Sequence, residues 1–306
     1  MPATNLTALK AAQRSLLLKP LDAAVFLAPW YTPAPAAFTD SNANLQPLPS
    51  TYQSIGLIDK KTGVAFARGI TAAPIESYGE LQPVRNDITS DITTIEFEPQ
   101  QTNALSLQLA TSANLKQVMA NASSGEVFFP QPTSEQITYY SAIIIGKDGN
   151  DAAPIYVFKV MPKVAVSKFG GEQWNPTEVL AQKLTLVAFK DDTAGYAVAH
   201  GFGGAGWKQL LSGSGINYTV SAITVAPLTL SLIHGGAASA PLVVTDQFGG
   251  VIPNSSVVFS SSAASIATVA ATGAVTGVAA GTATITASYT PAGGSAVTAT
   301  CAVTVS

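Results

Sequence analysis

The last 86 residues of the chain, Ser221 to Ser306, carry a single charged side chain, Asp246. A stretch so poor in lysine and glutamate can only offer water hydroxyls and backbone, so its folded form needs one apolar face and one Ser/Thr face. Its residues follow that pattern. From Thr282 to Tyr289, Ala283, Ile285, Ala287 and Tyr289 alternate with Thr282, Thr284, Thr286 and Ser288, the two-residue period of a half-buried strand. Val297, Ala299, Cys301, Val303 and Val305 alternate in the same way with Thr298, Thr300, Ala302, Thr304 and Ser306. Glycines at 235–236, 249–250, 273, 277, 281 and 293–294 interrupt the runs at turn spacing, which predicts a β-sandwich of about seven short strands.

At 306 residues the chain has room for two domains, each with its own core. The sequence divides at a Ser212-Gly213-Ser214-Gly215 run of flexible-linker composition, giving 1–211 as one domain, 212–218 as a linker and 219–306 as the second domain. Residues 1–220 hold 32 of the 33 charged side chains, 15 basic and 17 acidic, without a basic block. With a net charge of -3, this argues against a surface built to grip nucleic acid. The low charged fraction does not signal disorder, because 47% of the residues are apolar. Lys10 and Arg14 before Ser15-Leu16-Leu17-Leu18 suggest an export signal, but Lys19, Pro20 and Asp22 interrupt the apolar run. The expectation is a chain that stays in the cytoplasm until it assembles. The lone Cys301 excludes an intrachain disulfide and is expected to pack inward.

The first domain also reads as β, with strands predicted over 23–27, 54–59, 63–68, 92–97, 137–145, 155–161 and 179–189. Lys147-Asp148-Gly149-Asn150 is predicted as a hairpin turn. One short helical excursion is expected over 102–109 and 114–119, capped by Thr102 and Asn114. Two long segments, 29–54 and 68–91, lack alternation and read as loops. Each mixes apolar residues into polar sequence, Trp30, Tyr31, Leu45 and Leu48 in the first and Ile70, Ile75, Tyr78 and Leu81 in the second. Long loops of this kind have a job or a partner, and partner contact is the favoured expectation here.

Catalytic patterns are sparse. His200 and His234 fall in different domains without metal-ligand spacing. Gly201-Phe202-Gly203-Gly204-Ala205-Gly206 satisfies G-x-G-x-x-G but lacks the surrounding βαβ unit and the later acid, so it reads as a flexible exit from the last strand. Glu96 and Glu98 share a strand face, where paired carboxylates can do acid-base work and where a wetted face explains them equally well. No enzyme activity and no cofactor are expected.

Two resemblances carry the functional reading. The blocks SIATV, GAVTGV and GTATITA, in that order over roughly 216–306, resemble the bacterial group 2 immunoglobulin-like domain, an accessory module of bacterial surface proteins and phage structural proteins. Residues 52–103 and 174–204, with Leu21-Asp22-Ala23-Ala24-Val25-Phe26-Leu27 as an opening strand, resemble the major tail tube proteins of long-tailed phages. That resemblance implies a mainly β protein, an N-terminal sandwich or barrel followed by an immunoglobulin-like sandwich. It implies subunits joined edge to edge in rings, usually of six, that stack into a tube through which DNA passes without specific binding. It implies a virion component assembled in the host cytoplasm, with tape measure, distal tail and tail terminator proteins as partners and weak cell-surface or glycan contact for the outer domain. Asp87, Asp91, Glu96 and Glu98 are then the candidate lumen-facing acids. Ile70, Ile75, Glu76, Tyr78, Glu80, Leu81 and Arg85 form the candidate ring-stacking loop, aided by an arm over 1–20. A bacterial adhesin or carbohydrate-binding protein is the alternative, and it requires export.

Overall fold

Contacts divide the chain into two units, Leu18–Trp207 and a second made of Met1–Leu17 with Lys208–Ser306. The computed structural model describes residues 5–134, 136–172 and 174–306. Residues 1–4 of the arm expected to aid stacking lie outside the described residues. The described chain opens with a short helix, α1 (Leu6–Lys10). Among the described residues no helix is long and apolar enough to cross a membrane.

The unit Leu18–Trp207 is one curled sheet. Its elements are β1 (Asp22–Pro29), β2 (Gln53–Ser54), β3 (Val64–Ile75), β4 (Arg85–Phe97), α2 (Ala104–Thr111), β5 (Tyr139–Asn150), β6 (Ala153–Glu172), β7 (Gln182–Ala188) and β8 (Ala199–Gly203). The strand order is β2-β1-β5-β6-β7-β4-β3, with β8 also paired to β6. One core takes Val25 and Leu27 from β1, Ile144 from β5, Met161 from β6, Leu186 from β7, Phe97 from β4 and Leu109 from α2. Strands β1 and β4 are far apart in the sheet, so their side chains meet only because the sheet bends around this core. It does not close into a barrel, and β2 and β3 remain its two ends.

The opposite face of β1, β5 and β6 is covered as well. Ala28, Ile143, Ile145 and Phe158 lie under Ala34, Phe38 and Leu48, with the Phe38 and Phe158 rings stacked at 4.6 Å. Burial on both faces explains why β5 reads as a continuous apolar run rather than an alternating one. Segment 29–54, expected to meet a partner, places Ala34, Phe38 and Leu48 on its own sheet and leaves Tyr31 and Leu45 exposed. A single-face strand reading hides the need for such a cover.

Local chemistry shifts several predicted boundaries. The cap of α2 is Asn103 rather than Thr102: its side chain accepts from Ser106 N at 2.9 Å, and Ser106 Oγ accepts from Asn103 N at 3.0 Å, a reciprocal capping box. Asn114 caps only a 3-10 turn, Leu115–Gln117. The hairpin turn expected at Asp148-Gly149 lies instead at Asp151-Ala152, since Asn150 pairs with Ala153 and its side chain accepts from Ala153 N at 2.8 Å.

The second unit contains α3 (Ala205–Leu210) from Lys208 onward, a 3-10 turn at Leu211–Gly213 and nine strands. These are β9 (Ile223–Ala226), β10 (Thr229–Leu232), β11 (Val243–Asp246), β12 (Val251–Ile252), β13 (Val258–Ser261), β14 (Ala267–Val269), β15 (Val275–Gly277), β16 (Gly281–Tyr289) and β17 (Val297–Val305). They form sheets β10-β17-β16-β13, β12-β11-β9 and β14-β15. The alternation read from sequence holds: Ala283, Ile285, Ala287, Cys301, Val303 and Val305 are buried while Thr282, Thr284, Thr298 and Thr300 face water. Burial pushes the Cys301 thiol pKa up, as expected of a packing cysteine.

Candidate assembly surface

The segment read as a loop over 68–91 is a two-stranded ribbon. Strands β3 and β4 pair from Val64 opposite Phe97 to Ile75 opposite Arg85. Strand β4 meets β7 only over residues 93–97, so the remainder of the ribbon extends past β7. Neither of its faces is buried along that length, which is why no apolar alternation marks it. A register shift opposite Thr71 and Ala72 also breaks the phase. Pro74 is tolerated because β3 is an edge strand.

Register places the four candidate acids. Paired residues share a face and neighbours along a strand alternate. Asp91, opposite Ile70, is on the face that leads into the core through Ile95 and Phe97, whereas Glu96 is on the opposite face. Past the register shift, Asp87 opposite Ala73 falls on the Glu96 side. Each acid has a partner. Arg68 donates to Asp91 through Nε at 2.8 Å and Nη2 at 2.5 Å, which lowers the Asp91 pKa. Arg85 lies 2.6 Å from Asp87 and Lys183 lies 2.6 Å from Glu96. Glu98 accepts from Thr62 Oγ1 at 3.0 Å. The structure therefore brings Asp87 and Glu96 to one face and separates Asp91 from them.

The face that carries Glu96 is lined by Ala65 and Ala67 on β3, Ile92 and Thr94 on β4, and Thr185 and Val187 on β7. Its two margins are open. Among the described residues the outer edge of β3 has no strand beside it. On β6, pairing with β5 ends at Ala165, so the same margin over 166–172 has no ladder partner among the described residues. The ribbon adds exposed apolar side chains: Ile70, Ile75, Tyr78 and Leu81 are all solvent-accessible, the last two fully. Glu76, Glu80 and Arg85 are exposed beside them.

The other sequence candidates resolve into structure. The Gly201 to Gly206 motif is no flexible exit, since Gly201 and Gly203 lie in β8 and Gly206 in α3. Gly204 has φ +98°, and a Cβ there would sit 2.2 Å from the Pro154 carbonyl oxygen. Gly206 is similarly tight, with a Cβ position 2.5 Å from the Ala153 carbonyl oxygen, so these two glycines serve close backbone packing. His200 Nδ1 lies 3.0 Å from Lys159 Nζ, and burial, Lys159 and Arg68 together lower its pKa. Among the described residues no three His, Cys, Asp or Glu side chains group to hold a metal.

Comparison with known families bears directly on this surface. The phage tail tube protein family matches residues 10–198, more than half of the chain. The chain belongs to the phage tail tube protein family. The bacterial Ig-like domain (group 2) matches residues 219–301, and a search of curated proteins finds no match to the chain. A tail tube protein is a structural component of the virion, and the family implies assembly with itself and with other tail proteins. Sequence reading assigned no role to two buried carboxylates, Asp191 and Asp246. Asp191 accepts from Trp30 Nε1 at 2.8 Å and from Thr193 N and Ala194 N at 2.9 Å. Asp246 accepts from the Tyr218 hydroxyl at 2.5 Å, Phe248 N at 2.8 Å and Gly250 N at 2.9 Å. The Asp-Gln-Phe-Gly-Gly run after an apolar strand is a turn signal that points to Asp246; no comparable signal pairs Asp191 with Trp30.

Proposed function

We propose that this tail tube protein polymerises as stacked, hexameric rings that form the channel for double-stranded DNA. The observation that carries this reading is the pair of open margins on one sheet, the outer edge of β3 and residues 166–172 of β6. An exposed edge invites pairing, and a head-to-tail contact between two different edges closes into a ring when the rotation per subunit fits. Joining β3 of one copy to β6 of the next removes both edges and continues the sheet around a lumen.

The Glu96 face is the lumen face in this arrangement, with the core backing it on the other side. Glu96 and Asp87 line the channel, each beside a basic partner, among alanine, threonine and valine side chains. Glu98 stands at the end of the same face. A surface of paired charges and small side chains neither attracts phosphate strongly nor repels it, which suits passage without binding. The ribbon with Ile70, Ile75, Tyr78 and Leu81 stacks one ring on the next, assisted by the N-terminal arm. The domain over 219–306, tethered by 212–218, decorates the outside and makes weak contact with cell-surface glycans. Assembly takes place in the host cytoplasm, and tape measure, distal tail and tail terminator proteins complete the tail. Negative-stain electron microscopy of the purified protein tests this directly. Hollow rings or tubes are expected, and a monodisperse monomer at high concentration overturns the reading.

A further inference from the structure

The second unit holds a groove of about 360 Å³ between residues 212–218 and β12 with the 3-10 turn Asn254–Ser256 that follows it. That volume falls within the range of small-molecule sites, about 300–1,000 Å³. One wall is the segment read from sequence as a flexible linker, and it lies on the sandwich. Ser221 N donates to Gln247 Oε1 at 3.2 Å, Gln247 Nε2 donates to the Thr219 carbonyl at 2.8 Å, and the Tyr218 hydroxyl reaches Asp246. A Cβ on Gly250 would sit 2.6 Å from Asp246 Oδ2, 2.9 Å from the Tyr218 hydroxyl and 3.0 Å from Ser212 Cβ. The missing side chain at 250 thus lets the linker approach the carboxylate.

Asp246, the one charged side chain of Ser221–Ser306, lines this groove and is 7% exposed. Its Oδ1 takes Phe248 N and Gly250 N, whereas its Oδ2 takes the Tyr218 hydroxyl, and a carboxylate oxygen has room for a second donor. Tyr289 and Val220 add apolar wall, and the exposed Asn217 and Ser256 add an amide and a hydroxyl. Among the described residues no lysine or arginine lines the groove.

These features select a ligand by exclusion. An anion would meet a buried carboxylate with no cation to offset it. A metal ion finds no group of three His, Cys, Asp or Glu side chains among the described residues. A wholly apolar ligand would cut the carboxylate off from water without replacing the lost hydrogen bond. A neutral molecule with hydroxyl donors on its edge and a C–H face fits both kinds of wall, and a pyranose ring has that form.

We propose that this groove binds a neutral pyranose unit of a cell-surface glycan. A sugar hydroxyl donates to Asp246 Oδ2, the ring packs on Tyr289, and Asn217 and Ser256 hydrogen-bond to the remaining hydroxyls. The proposal rests on the glycan contact proposed above for the outer domain and adds the site and the sugar class. One such site is weak, and display in many copies multiplies it.

Saturation-transfer-difference NMR on the full-length chain tests this. The probes are methyl α-D-glucopyranoside, methyl β-D-galactopyranoside and N-acetylglucosamine, with glucuronate as the acidic comparison, each at about 50 mM because so few hydrogen bonds give millimolar affinity. Transfer to at least one neutral sugar is expected, with about tenfold less to glucuronate. Ser256→Tyr fills the groove from an exposed position and is expected to abolish transfer with the unfolding midpoint unchanged. Asn217→Ala is expected to raise the Kd about threefold or more. Transfer undiminished in Ser256→Tyr, or an unchanged Kd in Asn217→Ala, overturns the groove and leaves glycan contact by the outer domain standing. Equal transfer to glucuronate overturns the sugar class, and no transfer to any of the three neutral sugars overturns both the groove and the glycan contact.

Discussion

Tyr218 and Asp246 show how one charge can be structural in a domain otherwise without charge. The Tyr218 hydroxyl donates to the Asp246 carboxylate at 2.5 Å, and this bond, with some burial, pushes the Tyr218 pKa up to about 12. The neutral phenol is the form the fold favours. An unfolded tyrosine titrates near 10, so the stabilisation is complete below about pH 10 and is lost as pH rises towards 12. Tyr218→Phe is expected to abolish that alkaline loss, as read by circular dichroism melts between pH 9 and pH 12. Asp246→Ala leaves two backbone donors and a phenol without their acceptor and should cost the sandwich about 3 kcal/mol in urea unfolding. Asp191 is the counterpart in the tail tube unit. Its pKa is lowered by the Ala194 backbone bond, the Trp30 indole and the nearby Lys163, so its contribution is present above about pH 4 and lost as pH falls through its folded value. Asp191→Asn should flatten the acid limb of the stability profile, measured by urea unfolding between pH 6 and pH 3.

Among the elements, the β8–α3 corner and the β3–β4 ribbon make opposite predictions. At the corner, Gly204 combines φ +98° with backbone contact to Pro154. Gly204→Ala should therefore destabilise the unit by at least about 2 kcal/mol, where a flexible exit would tolerate alanine. The ribbon is exposed throughout, so Leu81→Ser should change monomer stability by less than about 0.5 kcal/mol while weakening assembly in sedimentation or light scattering. A large loss of monomer stability would mean that the ribbon tip packs within its own chain. Elements such as β16 and β17 were legible in the sequence because one face is buried and the other wet. Strand β5, buried on both faces, and the ribbon, buried on neither, carry no such alternation. The length of the ribbon comes from pairing between residues up to 33 apart, Val64 with Phe97, and a local pattern does not contain that information.

For the whole molecule, the expectation is that the two jobs separate. A chain ending after Gly215 should still form rings or tubes by electron microscopy, because the open margins and the ribbon all belong to Leu18–Trp207. Loss of tubes in that truncation would make the C-terminal domain part of the wall. The sequence alone determined the mainly β class, the charge-poor immunoglobulin-like module and the family, since these depend on local alternation, turn residues and motif order. It also placed Cys301 inward. The tertiary structure decided which sheet margins stay open, that segment 29–54 covers its own sheet, and that Asp91 and Glu96 lie on opposite faces. The physical reason is register. A strand's face and its edge are set by the partner it pairs with and by single-residue shifts such as the one beside Thr71, and those choices are made between distant segments only when the sheet curls around a shared core.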